Sequence, residues 1–272
     1  MITLLFHCNQ SFICVYGCHT NLLSARSRSN PIKFSLCYVI TIILHGKGFF
    51  ITGTDTGVGK TTIAAAITLN LKRKGLDIGI MKPFASASKR YSPIYKSADV
   101  AMLLNISKVM DKYSDINPFF SSLPTAPYTA SLVGKSSRVD ISKAIRSYAK
   151  LASAHDQMIV EGIGGIMVPL TRTKCLVDFA KAINLPVIIV ARFQLGMINH
   201  VLLTVRACLD HGLGVAGIIL NDLTRWNGPV KKKMIVETIE KTSRVNVLSL
   251  IPFIENNTTE KTAQILEGCP RL

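Results

Sequence analysis

Residues 53–62 read GTDTGVGKTT, and this stretch decides the fold prediction. An apolar run at 48–52 precedes it, and residues 60–74 follow with apolar side chains at helical spacing. A glycine-rich turn between a strand and a helix is the context of a phosphate-binding loop. Its backbone N–H groups converge on phosphate oxygens at the helix N-terminus. The stretch therefore predicts nucleotide binding, although the strict pattern GxxxxGK[ST] would place glycine where this chain has Thr54.

Charged side chains at the ends of apolar runs extend this prediction beyond the loop. Within the loop, the Lys60 ammonium can reach the β- and γ-phosphates, and the Thr61 hydroxyl can ligate Mg²⁺. Lys82 follows the apolar run 78–81, and Glu161 follows the run 158–160 and precedes the glycine-rich stretch 162–165. Ligands of open parallel sheets bind beyond the carboxyl ends of the strands. We therefore expect Lys82 to face the site and Glu161 to hold Mg²⁺ directly or through water.

The remaining sequence alternates short apolar runs with longer amphipathic segments. The runs predict strands at 48–52, 78–81, 158–160, 186–190, 215–220 and 245–251, and the segments predict helices at 60–74, 142–151, 197–211 and 230–240. Continuously apolar strands separated by helices indicate a parallel sheet buried on both faces. We therefore predict an α/β fold of the P-loop NTPase type, with a mostly parallel sheet and helices on both faces. Residues 84–126 give no clear element, and so long a stretch inside a compact domain is often functional.

Charge and cysteine are concentrated unevenly along the 272 residues. The formal net charge is +16, yet residues 1–47 contain four basic residues, no acid and four of the seven cysteines. We predict that 1–47 is a leader, disordered or absent from the mature protein, and that 48–272 is one domain. A later translation start and an organelle transit peptide both remain open for the leader. No apolar run reaches the roughly 18–20 residues of a membrane-spanning helix, so we expect a cytoplasmic protein without a membrane partner.

Six motifs in chain order make residues 48–255 resemble the dethiobiotin synthetases. They are GTDTGVGKT at 53–61, Lys82-Pro83 with Ser86, Asp99 in the SAD triplet at 97–99, EGIGG at 161–165, LGMINH at 195–200, and Asn221-Asp222. Two departures stand out. Gly57 replaces an acidic residue of some family members, and residues 126–128 read APY where the family has SPH.

The resemblance implies an ATP-dependent ligase of biotin biosynthesis. It would form dethiobiotin, ADP and phosphate from 7,8-diaminononanoate, CO₂ and ATP, through a carbamate and a carbamic-phosphoric anhydride. The resemblance also implies a homodimer whose segment 196–199 reaches the partner's site and binds the substrate carboxylate. The implied catalytic residues are Lys60, Lys82 and Thr56. The implied nucleotide-binding residues are Gly57, Val58, Gly59, Lys60, Thr61, Thr62 and Asn221, with Asn221 at the adenine. The implied substrate-binding residues are Thr56, Lys82, Ser86, Gly164, Gly165, Gly196 and Asn199, and the Mg²⁺ ligands are Thr61, Asp99 and Glu161.

The alternative is a partition-type or nucleic-acid-associated P-loop ATPase. The partition-type enzymes carry an extra lysine early in the loop, at the place of Asp55 here. The basic residues are scattered apart from the run 231–233, which is typical of a solvated helix face. We therefore expect no nucleic-acid partner. Because the implied chemistry needs cations rather than a protein nucleophile, we expect structural roles for His155, His200 and His211.

Overall fold

The computed structural model describes residues 47–87, 90–134, 136–255 and 258–268. Almost all of the predicted leader lies outside these residues, so its prediction is not tested. No helix among the described residues is long and apolar enough to cross a membrane.

A six-stranded parallel sheet is formed by the described part of the chain, in the strand order β2-β5-β1-β6-β7-β8. Its strands are β1 (Gly48–Gly53), β2 (Ile78–Met81), β5 (Gln157–Gly165), β6 (Val187–Arg192), β7 (Val215–Asn221) and β8 (Val247–Ile251). A second, two-stranded parallel sheet pairs β3 (Phe84–Ser86) with β4 (Phe119–Ser121). Most residues of the large sheet are buried, which explains why its strands are continuously apolar in sequence.

Helices cover both faces of the large sheet, as the sequence predicts. They are α1 (Lys60–Arg73), α2 (Ala98–Ser107), α3 (Tyr113–Ile116), α4 (Pro127–Leu132), α5 (Ile141–Ala154), α6 (Leu176–Ile183), α7 (Met197–Asp210), α8 (Lys232–Ser243) and α9 (Thr259–Glu267). Helices α1, α2 and α9 share one apolar core with Phe49 and Ile51, whereas α5 to α8 share the other core with Phe50. The alternation of β1 side chains between the two cores follows from the two-residue period of a strand.

The structure corrects several predicted boundaries. Strand β5 does not end at Glu161 but continues to Gly165, because Gly165 still pairs with Gly53 across the sheet. The last helix-strand pair lies at 232–243 and 247–251 rather than at 230–240 and 245–251. Residues 84–126, for which no element is predicted, contain β3, α2, α3 and β4. Strands β3 and β4 have only three residues each, which is too few to show a periodic sequence pattern.

Candidate active site

The glycine-rich loop between β1 and α1 is fixed by contacts with neighbouring strands. The backbone N–H of Thr54 donates to the Val190 carbonyl at 3.0 Å, and the Asn221 side-chain amide donates to the Val58 carbonyl at 3.0 Å. Gly59 adopts a left-handed φ of 96°, and a Cβ on it would lie 2.2 Å from Asn221 Nδ2. Glycine at position 59 is therefore required by both the backbone conformation and the close approach of Asn221.

The departure from the strict loop pattern has a structural explanation at Gly53. A Cβ on Gly53 would lie 2.8 Å from the Asp55 carbonyl oxygen and 3.0 Å from Lys60 Nζ. The same ammonium donates to the Asp55 carbonyl at 2.9 Å. Because Lys60 folds back against position 53, glycine is needed at position 53. Glycine is not needed at position 54, where this chain has threonine.

Four predicted residues meet where β2 ends beside the middle of β5. The Lys82 ammonium lies 2.5 Å from Glu161 Oε1 and 3.2 Å from Asp99 Oδ2, and it also donates to the Gly162 carbonyl at 3.2 Å. The Thr61 hydroxyl donates to Glu161 Oε1 at 2.9 Å. The side chains of Lys82 and Glu161 are 4% and 1% exposed, whereas that of Asp99 is 45% exposed. Lys82 and Glu161 Oε1 thus have several polar partners, and the cluster is exposed to solvent at Asp99.

Burial and neighbouring charges act differently on the two lysines. Burial, followed by the Lys82 charge, lowers the pKa of Lys60 to about 8, against the opposing pull of nearby carboxylates. Burial also acts against the Lys82 ammonium, but Glu161 and Asp99 outweigh it and raise the pKa of Lys82. The Lys82 ammonium is therefore stabilised by its two carboxylates, whereas burial makes the Lys60 ammonium less stable than in water until an anion binds beside it.

The two carboxyl groups also differ. Burial acts against the ionised form of Asp99, but Lys82 outweighs it and lowers the pKa of Asp99. Complete burial raises the pKa of Glu161, and Lys82 opposes that rise. The two hydrogen-bond donors on Glu161 Oε1, the Thr61 hydroxyl and the Lys82 ammonium, favour its ionised form against the effect of burial.

A cavity of about 580 Å³ opens beside this cluster. Most of the residues that the sequence predicts for the site line it: Thr56, Gly57, Gly59, Lys60, Thr61, Thr62, Lys82, Ser86, Asp99, Glu161 and Gly164. These eleven residues, drawn from the predicted nucleotide, metal and substrate sets, therefore share one cavity. Its volume suits a ligand of nucleotide size.

Several wall residues were not predicted individually. They are Ala85, Met102, Pro124, Thr125, Ala126, Ile163 and Val168. Five of the seven lie in the stretch 84–126. The length of that stretch is the one feature of the sequence that points to these residues. Most of these side chains are apolar, so they add apolar surface to the cavity wall.

Five predicted residues do not line the cavity. Val58 and Asn221 are buried, 2% and 1% exposed, beneath the loop. The Asn221 amide nitrogen is bonded to the loop, and its oxygen Oδ1 is buried without a partner. Gly165 lies behind the loop, where an added Cβ would lie 3.3 Å from the Gly53 carbonyl. Gly196 and Asn199 are exposed at the start of α7, outside the cavity of this single chain.

The residues outside the site that the sequence singled out have structural contacts. None of the three histidines lines the cavity, and His155 lies between Asp77 and Asp111. The expectation of a solvated basic run is wrong for its middle residue. Lys232 is half-buried, and its ammonium lies 2.7 Å from Asp222 Oδ2.

The predicted Mg²⁺ ligands fit the ion in their chemistry. Hydroxyl and carboxylate oxygens are the donors that Mg²⁺ prefers, and Glu161 Oε2 is buried without a hydrogen-bond partner. No group of three or more His, Cys, Asp or Glu side chains within the described ranges could hold a metal alone. A site of one threonine and two carboxylates therefore suits an ion that shares its coordination with phosphates and water.

Comparison with known proteins identifies relatives over most of the chain. A family model described as an AAA domain matches residues 47–261. The ATP-dependent dethiobiotin synthetase BioD of Nitrosopumilus maritimus is 35% identical over 210 residues, which cover 77% of this chain and 90% of that protein. The BioD of Bacillus subtilis is 38% identical over 223 residues, covering 81% of this chain and 94% of that protein.

Among solved structures, the cell division ATPase MinD of Pyrococcus furiosus has a similar fold. Its TM-score is 0.50 at 16% identity, and the match covers 83% of this chain and 90% of that chain. At this level of identity the likeness concerns the fold alone. It confirms the predicted α/β fold of the P-loop NTPase type.

Proposed function

Because this chain belongs to the ATP-dependent dethiobiotin synthetase family, we propose that it closes the ureido ring of dethiobiotin in the cavity described above. The family is one of P-loop ligases of biotin biosynthesis, and the chain is an ATP-dependent ligase of this kind. The substrates are 7,8-diaminononanoate, CO₂ and ATP, and the products are dethiobiotin, ADP and phosphate. The observation that carries the proposal is the convergence of Lys60, Lys82, Asp99 and Glu161 on one cavity beside the phosphate loop.

The reaction proceeds in three steps. One amine of the substrate attacks CO₂, forms a C–N bond and loses a proton, which gives a carbamate. A carbamate oxygen then attacks the γ-phosphorus of ATP, and the bond to the ADP oxygen breaks. The second amine attacks the carbonyl carbon of the resulting anhydride, expels phosphate and loses a proton, which closes the ring.

The residues supply charge and position rather than a nucleophile. Lys60 faces the β- and γ-phosphates from the start of α1, and the N–H groups of Gly57 to Thr61 point where the phosphates bind. Lys82, whose pKa is raised, remains an ammonium that neutralises the carbamate and the transferred phosphoryl group. Thr56 and Ser86, which also line the cavity, contact the diamine. Phosphoryl transfer is accelerated mainly by this kind of positioning and charge stabilisation.

Mg²⁺ belongs to the proposal as well. Thr61, Asp99 and Glu161 would hold it, and the ion would neutralise the charge on the phosphate oxygens. The Lys82 ammonium contacts both of these carboxylates.

We also propose a homodimer that works in the cytoplasm. Gly196 and Asn199 are exposed beside Leu195, whose side chain is 88% exposed. Because Gly196 and Asn199 lie outside the cavity of the single chain, their predicted contact with substrate supports a site that is completed by a second subunit. The described cysteines, Cys175 and Cys208, form no disulfide, which supports a reducing compartment.

The test is direct synthesis with purified protein. The full chain is incubated with 7,8-diaminononanoate, ¹³C-bicarbonate, Mg²⁺ and ATP, and the products are followed by mass spectrometry and phosphate release. We expect dethiobiotin with ¹³C in its ureido carbonyl and phosphate release that requires the diamine. The Lys60→Ala variant serves as the inactive control. Phosphate release that ignores the diamine, without labelled dethiobiotin, contradicts the proposal and favours an ATPase.

A further inference from the structure

Arg192 contacts the phosphate loop from outside the cavity. It is the last residue of β6 and pairs with Asn221 of β7 across the sheet. Its guanidinium nitrogen Nη2 donates a hydrogen bond of 2.8 Å to the backbone carbonyl of Gly57. Arg192 itself does not line the 580 Å³ cavity, whereas Gly57 does.

The guanidinium lies close to the space that a side chain at position 57 would occupy. Gly57 has a left-handed φ of 72°, and a Cβ there would lie 3.3 Å from Arg192 Nη2. The guanidinium therefore covers the side of Gly57 on which a side chain would stand. Beside it is a separate crevice of about 50 Å³, whose other walls include Thr54, Asp55 and Gln194.

Three hydrogen bonds from the ends of β6 and β7 hold this loop. The Val190 carbonyl accepts from Thr54 N–H, the Asn221 amide donates to the Val58 carbonyl, and Arg192 donates to the Gly57 carbonyl. The first two come from buried groups, and only the third is made by a charged side chain. Hydrogen bonds from ionised donors are stronger than neutral ones.

We propose that Arg192 is a positioning residue that sets the phosphate loop in its binding conformation before ATP arrives. This rests on the proposed function, since the loop must bind ATP. With the Gly57 carbonyl fixed by Arg192, the N–H groups that follow it are already directed at the phosphates. Binding then costs less ordering of the backbone. Arg192 acts through Gly57 and does not itself contact ATP.

The experiment compares three variants with different side-chain chemistry. Arg192→Ala removes the donor and the bulk, Arg192→Met keeps the length without a donor, and Arg192→Lys keeps a charged donor. Arg146→Ala is the matched control, because its side chain is 70% exposed on α5 and does not line the cavity. The dissociation constant of ATP is measured by calorimetry, with melting temperatures and steady-state kinetics alongside.

We expect Arg192→Ala and Arg192→Met to weaken ATP binding about tenfold, and Arg192→Lys to restore it to within about threefold of the unaltered chain. The KM for ATP should rise, while kcat and the KM for the diamine change by less than about twofold. Melting temperatures should match that of Arg146→Ala.

Two results would overturn the assignment. If the Met variant binds ATP as well as the Lys variant does, Arg192 only fills space. If the Ala variant binds ATP normally, the hydrogen bond to Gly57 has no role. ATP binding without dethiobiotin synthesis in the unaltered chain would contradict the proposed function, and the binding series would still decide the role of Arg192. A failure of the unaltered chain to bind ATP would contradict both.

Discussion

The Lys82 ammonium, directly after β2, lies 2.5 Å from the carboxylate of Glu161, which lies 79 residues later within the adjacent strand β5. Their meeting follows from sheet register, because Met81 of β2 pairs with Val160 of β5 and each charged residue comes next. Parallel strands of matched register place their following residues at one edge of the sheet. The pair thus links the sheet topology directly to the chemistry of the site.

Breaking this pair should remove activity and stability together. Lys82→Met leaves the Glu161 carboxylate buried without its main partner. We therefore expect the free energy of unfolding to fall by about 3 kcal/mol. Lys82→Met combined with Glu161→Gln removes both charges and should recover most of that loss. Neither variant should form dethiobiotin. Chemical denaturation and phosphate release measure the two effects, and a double variant no more stable than the single one would contradict the pairing.

Lys60 should affect ATP binding without supporting the fold. The pKa of its ammonium is lowered to about 8 because burial disfavours the charge, so removing the charge costs the folded state little. We expect Lys60→Ala to weaken ATP binding about 100-fold and to leave the melting temperature unchanged or raised. Lys74→Ala, at the exposed end of the same helix, is the control. Equal ATP affinity in the two variants would contradict the role of Lys60.

Two left-handed glycines offer a matched test of the loop packing. Gly59 and Gly75 have φ of 96° and 83°, but a Cβ would lie 2.2 Å from Asn221 Nδ2 at Gly59 and would contact nothing within 4 Å at Gly75. Gly75→Ala should cost only the backbone strain, about 1 kcal/mol. Gly59→Ala should cost more and should also abolish ATP binding. Unfolding curves and ATP calorimetry check this, and similar losses in both variants would show that the Asn221 contact is irrelevant.

His155 should make stability depend on pH. Its ring nitrogens lie 2.9 Å from Asp77 Oδ2 and 2.8 Å from Asp111 Oδ2, and the neighbouring Asp156 accepts from the Asp77 N–H. Burial disfavours the imidazolium, but the two bonded carboxylates outweigh it and raise the pKa of His155. The stabilisation is therefore complete below the ordinary histidine pKa and is lost as the pH rises through the raised value.

The corresponding variant is His155→Gln. We expect a loss of about 1 kcal/mol at pH 5.5 and a smaller one at pH 9. His211→Gln, whose ring contacts the Ala207 carbonyl, provides a control without two carboxylates. Unfolding free energies across the pH range measure the difference, and a loss that is independent of pH would exclude an ionised His155.

The sequence alone determined the fold class and most of the charged site. Periodicity distinguished strands from helices because side-chain spacing reflects burial on one or two faces, and the loop at 53–62 was recognisable because phosphate binding restricts the backbone locally. Thr56, Lys60, Thr61, Lys82 and Glu161 lie on or directly after such elements. Their presence in one cavity follows from parallel topology.

Only the tertiary structure decided which residues pack against the phosphate loop and which complete the cavity wall. The hydrogen bond from Arg192 to Gly57 joins residues 135 positions apart. It depends on where β6 ends relative to the loop, and no local sequence pattern specifies that position. Among the wall residues, Ala85 lies on β3 and Pro124 to Ala126 follow β4, and the pairing of these two three-residue strands is set by the rest of the fold. Asn221 was recognised by its motif, yet its bond to Val58 and its burial beneath the loop depend on strand packing. Local sequence specifies backbone conformation and burial, whereas contacts between distant strand ends require the assembled sheet.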